Sequence, residues 1–238
     1  MISEYTKNTY YQDDEIIKAK ELATKFYKRE YNPKLFRNGN KKLEKNVLIW
    51  DLPAIITCKG QCKGCYALKA ERLYKNTRIM RAFHYEIIKQ ALQDISKRTY
   101  LTNYMMVELQ AHQLIYKLPV VRLHASGDLF NDEYLKFWLH IIKYNPDINF
   151  YTYTKMYNND EIDKLNKKYK NFNIVKSIIE DKFINFGDAE YLKKVTTELT
   201  KQKLQYHVCD YGTKDSKAHC MGNCTACLHC SNVLFHKH

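Results

Sequence analysis

Between Val47 and Val208 the chain repeatedly switches its hydrophobic period, and this switching limits the fold more than any other feature. Short apolar or alternating runs at Val47-Leu48-Ile49-Trp50 and at residues 119–125, 148–154, 172–179 and 204–208 read as strands. Helical spacing fills the gaps. It covers residues 67–97, where Phe83, Ile87, Ile88, Ala91, Leu92 and Ile95 form an apolar stripe, then 101–116, 133–144, 160–169 and 191–203. Strands that alternate with helices imply parallel pairing through right-handed crossovers. The strands are too few for a closed eight-unit barrel. The expected fold class is therefore α/β, a partial, open parallel β/α barrel with a cysteine-rich C-terminal tail. A doubly wound open sheet is the alternative.

Three regions follow from the pattern. Residues 1–45 read as an N-terminal helical extension, with Ile16, Ile17, Ala19, Leu22, Ala23 and Phe26 along one side of a helix. Asp13 and Asp14 are its candidate caps, and Pro33 with Asn38-Gly39-Asn40 ends it. Residues 46–208 hold the partial barrel. Residues 209–238 have no periodicity and read as an auxiliary metal-binding tail, ordered by something other than a hydrophobic core.

A chain of 238 residues can bury a sizeable core without cross-links, so its 8 cysteines need another reason. The N-terminus is polar and acidic, unlike a secretory signal, and no stretch is apolar enough to span a bilayer. Cysteines in such a chain point to metal or redox chemistry in a reducing, cytoplasmic compartment, with no membrane partner. The formal charge of +13 favours a polyanionic partner, nucleic acid or nucleotide. The same excess of Lys, beside abundant Asn, Tyr and Ile and only 7 Gly and 4 Pro, equally fits a compositional bias.

The first cysteine cluster reads Cys58-Lys-Gly-Gln-Cys62-Lys-Gly-Cys65, a C-x3-C-x2-C spacing. Three thiolates on one short loop can hold three irons of a 4Fe–4S cluster and leave the fourth open. A loop curled that tightly favours glycine, and Gly60 and Gly64 both lie inside it. A zinc site would prefer paired C-x2-C knuckles and a fourth ligand, which is not local here. The second cluster comprises Cys209, Cys220, Cys224, Cys227 and Cys230, and its Cys220-Cys224-Cys227 portion repeats the first spacing. It has enough thiolates for a second, fully ligated iron–sulfur cluster. The knuckle spacing of Cys224, Cys227 and Cys230 keeps zinc open as its alternative. One of the five is spare, either Cys209 or Cys224, and His219 and His229 read as surface histidines.

The C-x3-C-x2-C loop directly after the first strand, the alternating core and Ser126-Gly127-Asp128 at the end of the second strand together resemble the radical S-adenosylmethionine superfamily. That resemblance implies a reductively cleaved S-adenosylmethionine as cofactor and a reductant or electron-transfer protein as partner. It implies that Asp128 meets the amino group of the methionine moiety while Gly127 lets the backbone approach. A carboxylate suits that cationic group. Two features depart from the pattern: Gly64 stands where an aromatic usually precedes the third cysteine, with Tyr66 just after, and the glycine-rich adenine contact is not recognisable. The strings LPAIITC, CKGCYAL, RLHASGDLFN and FYTYTK, over roughly residues 32–230, also resemble a family of bacteriophage gene products, implying a host cytoplasm.

Further candidates lie at strand ends, where barrels collect chemistry. Arg122, His124 and Ser126 are expected to alternate on one side of the second strand, and Tyr151 and Tyr153 on the third, with Lys155 beyond. His124 either faces the cluster cavity or is a hydrogen-bonded core histidine. Arg122 either binds a carboxylate or phosphate or pairs with an internal acid. Ser177 either serves a ribose or is a buried strand serine. No Walker loop or GxGxxG is present. The expected function is an iron–sulfur enzyme acting on S-adenosylmethionine. The alternatives are a nucleic-acid-binding protein with structural metal sites and a non-catalytic iron–sulfur adaptor.

Overall fold

The computed structural model describes residues 4–40, 43–59, 65–177, 197, 207–209 and 232–235. Its centre is a mixed, mostly parallel sheet. Strands β2 (Leu43–Trp50), β3 (Val120–Leu123), β4 (Asn149–Thr154) and β5 (Phe172–Ser177) pair in parallel, each with the next. Strand β1 (Arg37–Asn40) closes one edge antiparallel to β2. Two short strands, β6 (His207–Cys209) and β7 (Asn232–Phe235), extend the other edge, giving the order β1-β2-β3-β4-β5-β7-β6.

The central strands follow one another in space as they do in sequence. Helices fill each step: α2 (Ala54–Thr57), α3 (Tyr66–Leu73), α4 (Lys75–Gln93) and α5 (Ile95–Ile115) between β2 and β3, α6 (Asp132–Lys143) between β3 and β4, and α7 (Asn159–Lys168) between β4 and β5. Helix α1 (Asp13–Tyr27) precedes the sheet. The expected strands and crossover helices are thus present across residues 43–177. The helix expected at 191–203 lies outside the described residues except for Thr197.

The register assigns the two faces. Parallel partners point the same way, so Ile49, Arg122, Tyr151 and Asn173 share one face. Leu48, Trp50, Val121, Leu123, Phe150 and Ile174 lie on the other, in the large core shared with α1, α4, α5, α6 and α7. Val47, Ile49, Val120, Ala125 and Tyr151 form a second, smaller cluster. Strands buried on both faces carry the continuous apolar runs seen at β2 and β3. Among the described residues no helix is long and apolar enough to cross a membrane.

Three local expectations change. Helix α1 is capped at Gln12, whose backbone N–H donates to Glu15 Oε2 at 3.2 Å, and Asp13 and Asp14 fall in its first turn. Its Ile16, Ala19, Ala23 and Phe26 join the main core. The single helix expected over 67–97 is divided at Tyr74 and Asp94, both in extended conformation. Asp94 starts a new helix because its carboxylate accepts from Ser96 N at 2.8 Å and Lys97 N at 3.1 Å. Asn38-Gly39-Asn40 is strand and not terminator: it pairs with β2, with an irregularity between Asn38 and Asn40. Polar residues suit an edge strand, and its pairing comes from a partner the local sequence does not reveal.

Candidate functional site

The C-terminal ends of β2 and β3 meet beneath the first cysteine segment. Strand β2 runs into Asp51-Leu52-Pro53, then α2, whose C-cap is Cys58. Cys65 is the N-cap of α3. Both are half-buried. Cys62, with Gly60 and Gly64, lies outside the described residues, as do Cys220, Cys224, Cys227 and Cys230. Cys209 ends β6, and its side chain is not described. Tyr66 opens α3, its side chain likewise outside the description.

The segment after β3 packs directly against this one. His124 N donates to Trp50 O at 2.8 Å, and Leu52 N donates to Ser126 O at 2.9 Å. Asp51 Oδ1 accepts from Ser126 N at 2.9 Å. Gly127 has φ +86°, a left-handed conformation open to glycine. A Cβ there would sit 2.5 Å from Thr57 Oγ1 and 2.7 Å from Leu52 Cβ, so glycine also allows the close approach. The expected backbone role of Gly127 therefore has a partner inside the protein, the stretch that delivers Cys58.

Asp128 is buried beside Cys58, whose Sγ lies 3.9 Å from Asp128 Oδ2. Its Oδ1 accepts from Leu129 N at 2.7 Å and Thr154 Oγ1 at 2.6 Å, and Oδ2 accepts from Lys155 N at 2.9 Å. Burial pushes this carboxyl up from its ordinary value, opposed by the hydrogen bonds from Thr154, Lys155 and Leu129. The amino group implied for Asp128 would join donors already on the carboxylate. The Cys58 thiol contributes one of these only while protonated, and a metal-bound thiolate donates nothing.

Ser126 is buried, and among the described residues its hydroxyl has no hydrogen-bond partner, a polar atom left over between the two motif segments. His124 does not continue the alternation with Arg122. Its φ is +61°, and the ring turns to the helix-packed face, where Nδ1 lies 3.0 Å from Thr152 Oγ1 and Nε2 2.9 Å from Tyr134 Oη. It is a hydrogen-bonded core histidine, and burial drives its pKa down to about 3. Arg122 sits on the opposite face with its guanidinium 5.4 Å from the Tyr153 ring. Tyr151 is fully buried in the smaller cluster, where Tyr153 packs as well. Ser177 is buried at the end of β5, two residues beyond Val175, the register partner of Tyr153.

Two acids that sequence reading did not single out organise the surroundings. Asp51 accepts from Arg37 Nη2 at 2.8 Å, and Arg81 Nη2 lies 3.9 Å away. Burial alone would raise its pKa, but the guanidiniums of Arg81 and Arg37, together with the charge of Arg122, hold the carboxyl below its ordinary range. Glu71 of α3 is fully buried and accepts from Ala54 N at 2.9 Å, Arg81 Nη1 at 3.0 Å, Tyr11 Oη at 3.3 Å and Asn8 Nδ2. One carboxylate thereby ties the helix before the cysteine segment to the helix after it, and both to the start of the chain. The available signal for Asp51 was an acid at the C-terminal end of a buried strand. Glu71 had no local signal.

Soft thiolate donors suit an iron–sulfur group or zinc. Among the described residues no three His, Cys, Asp or Glu side chains group closely enough to hold a metal ion. Of the three thiols that the sequence expects in such a set, Cys58 and Cys65 are described and Cys62 is not. The orphaned Ser126 hydroxyl fits a ligand that brings its own polar group.

Fold and site together define an α/β protein with a cysteine segment seated at the C-terminal ends of its first parallel strands. The family model described as Gene product 88 matches residues 24–233, and the chain belongs to that family. The gene 88 protein of Mycobacterium phage L5 is 30% identical over 95 residues, covering 40% of this chain and 39% of that protein. The gene 88 protein of Mycobacterium phage D29 is 28% identical over 95 residues, with the same coverage. The chain therefore spans about two fifths of the length of these curated relatives. No solved structure matches the chain.

Proposed function

We propose that the chain is an iron–sulfur protein of the radical S-adenosylmethionine type, in which Cys58, Cys62 and Cys65 ligate a 4Fe–4S cluster at the mouth of a partial, open β/α barrel. One observation carries this reading: Cys58 Sγ lies 3.9 Å from Asp128 Oδ2. This contact joins the cysteine segment to the Ser-Gly-Asp segment across 70 residues of sequence. The sequential order of β2 to β5 supports the barrel, since a doubly wound sheet would reverse its order at a switch point.

Held by Cys58, Cys62 and Cys65, such a cluster would supply one-electron reducing power toward S-adenosylmethionine. The chain's own residues hold and orient. Cys58 and Cys65 present their sulfurs from helix termini. Gly127 seats the second segment against Leu52 and Thr57. Asp128 is held in one orientation by Leu129, Thr154 and Lys155 and offers its Oδ2 edge to a cationic group. Ser126 offers an unused hydroxyl. The buried residues Leu52, Ala54 and Leu129 beside them exclude water.

The test is anaerobic purification of the full chain, with iron, sulfide and zinc assays and electron paramagnetic resonance of the reduced protein with and without S-adenosylmethionine. The expected result is bound iron and sulfide, a spectrum altered by S-adenosylmethionine, and release of 5′-deoxyadenosine. Cys58→Ser and Cys65→Ser should each lose iron. A colourless, zinc-loaded protein, or a spectrum indifferent to S-adenosylmethionine, overturns the enzymatic reading.

A further inference from the structure

We infer that Lys155 and Lys176, at the ends of β4 and β5, form a phosphate-binding subsite beside Asp128. Calling its ligand a substrate rests on the iron–sulfur reading above; the subsite itself does not. Register places the two lysines together. Lys176 pairs with Thr154, and Lys155 follows Thr154 directly. Thr154 Oγ1 and Lys155 N both donate to Asp128, whose Oδ2 lies beside Cys58. The charge of Lys155 acts on both Asp128 and Lys176. Lys59, exposed directly after Cys58, adds another cation to this rim.

Lys176 is the informative member. It is half-buried, and its ammonium carries three N–H donors. Among the described residues its hydrogen-bond acceptor is the Tyr157 carbonyl, and no carboxylate lies within ion-pair distance of it. Burial pushes its pKa down, Asp128 and Glu161 act against that, and the charge of Lys155 adds to it. Both acids have other work. Asp128 already accepts from Leu129, Thr154 and Lys155, and Glu161 Oε2 accepts from Asn158 N at 2.9 Å. A lysine kept only to tether the turn after β4 has no use for a second lysine beside it. Two like charges in a half-buried place repel, and an anion held between them removes that cost.

The charge balance selects phosphate. Lys59, Lys155 and Lys176 surround the single negative charge of Asp128. One ligand carboxylate leaves this rim positive. A phosphate monoester brings a charge of about −1.5 to −2 and three acceptor oxygens, and lysine binds phosphate as a point charge. The formal charge of +13 draws such a ligand toward the chain. A nucleotide and a nucleic-acid strand both present this group.

Equilibrium binding to the anaerobically purified full chain tests the subsite with two probes, a nucleoside monophosphate and a short mixed-sequence single-stranded oligonucleotide. At least one should bind and be displaced by inorganic phosphate. Lys176→Gln and, separately, Lys155→Gln should each weaken it at least tenfold, and either variant suffices if the other fails to fold. The Lys155 variant keeps its backbone donor to Asp128. For the oligonucleotide, each substitution should also lower the slope of log K against log salt by about one. Lys143→Gln, exposed in the last turn of α6, is the control and should change nothing. Binding of the monophosphate assigns the subsite to a small molecule, and binding of the oligonucleotide alone assigns it to a strand; both support a phosphate ligand. Binding of neither probe overturns the inference. So does binding indifferent to inorganic phosphate or to both substitutions. A Lys176→Gln protein that loses S-adenosylmethionine and keeps the phosphate probes also overturns it, because the lysine then serves the cofactor's carboxylate. Iron and sulfide assays of the same preparations separate the two readings. Lysine-dependent binding without iron keeps the subsite and removes the cluster, whereas iron without binding does the reverse.

Discussion

Gly127→Ala tests how tightly the two motif segments are joined. The added Cβ carries two penalties that the structure separates. The first is conformational: at φ +86° an L-residue is strained by roughly 1–2 kcal/mol. The second is steric: the new atom meets Thr57 Oγ1 at 2.5 Å and Leu52 Cβ at 2.7 Å. Leu52 Cβ is fixed to the backbone and cannot swing aside, so overpacking adds roughly 1–3 kcal/mol. A central total of about 3 kcal/mol lowers Tm by roughly 6–12 °C for a chain of this size. Thermal unfolding of the anaerobically handled full chain, followed by circular dichroism, measures it. Thr57→Ala alone loses the hydroxyl that donates to Pro53 O at 2.6 Å, a cost of about 1 kcal/mol. Combined with Gly127→Ala it removes one of the two clashing atoms, so the double variant should be more stable than the sum by about 1 kcal/mol. A Gly127→Ala protein within about 2 °C of the parent, or strict additivity in the double variant, would show that the close approach does not constrain the segment.

His84 and His124 are both buried, and burial lowers their pKa values to about 4 and about 3 from an ordinary 6.5. The unfolded chain then binds more protons below pH 6.5, so stability should fall as pH drops from 6.5 toward 4, by roughly 4 kcal/mol for the pair by pH 5; a urea midpoint unchanged between pH 7 and pH 5 would contradict this. Glu71→Ala strips the buried Arg81 of its 3.0 Å partner and should cost roughly 3–5 kcal/mol. Hydrogen exchange should also quicken at Ala54 N–H, and unchanged protection there would refute the tie. Thr154→Val removes the 2.6 Å donor to Asp128 and should cost roughly 1.5–3 kcal/mol in chemical denaturation, against less than ~1 kcal/mol if that carboxylate were adequately held by its backbone donors.

Most of the parallel core was legible because β2, β3, β4 and β5 carry apolar runs whose period is local to each strand. Asn131 and Asn158 cap α6 and α7, each accepting from an N–H in the first turn. Strand β1 was not legible, since Arg37 to Asn40 is polar and becomes strand only by pairing with β2. The breaks at Tyr74 and Asp94 were hidden because neither Gly nor Pro marks them. At the site, cysteine spacing pointed to Cys58 and the family resemblance to Gly127 and Asp128, and the structure brings all three together. What the sequence could not supply was orientation. Two-residue alternation placed His124 with Arg122, but a left-handed backbone at residue 124 turns the imidazole to the helix side. The roles of Asp51 and Glu71 depend on Arg37, Arg81 and Asn8, which are remote in sequence and carry no shared pattern.

Glu71 gives the start of the chain an influence that its distance in sequence conceals. Asn8 and Tyr11 both donate to that carboxylate, and Tyr5 Oη donates to Glu86 Oε1 at 2.9 Å on the neighbouring helix. Displacing these residues, whether by truncation or by a bulky fusion, would let water reach a charged pair at the root of the cysteine-bearing helices before it reached any strand. Early loosening in such a shortened protein should therefore show as faster thiol labelling at Cys58 and Cys65, while the parallel strands still hold their amide protons.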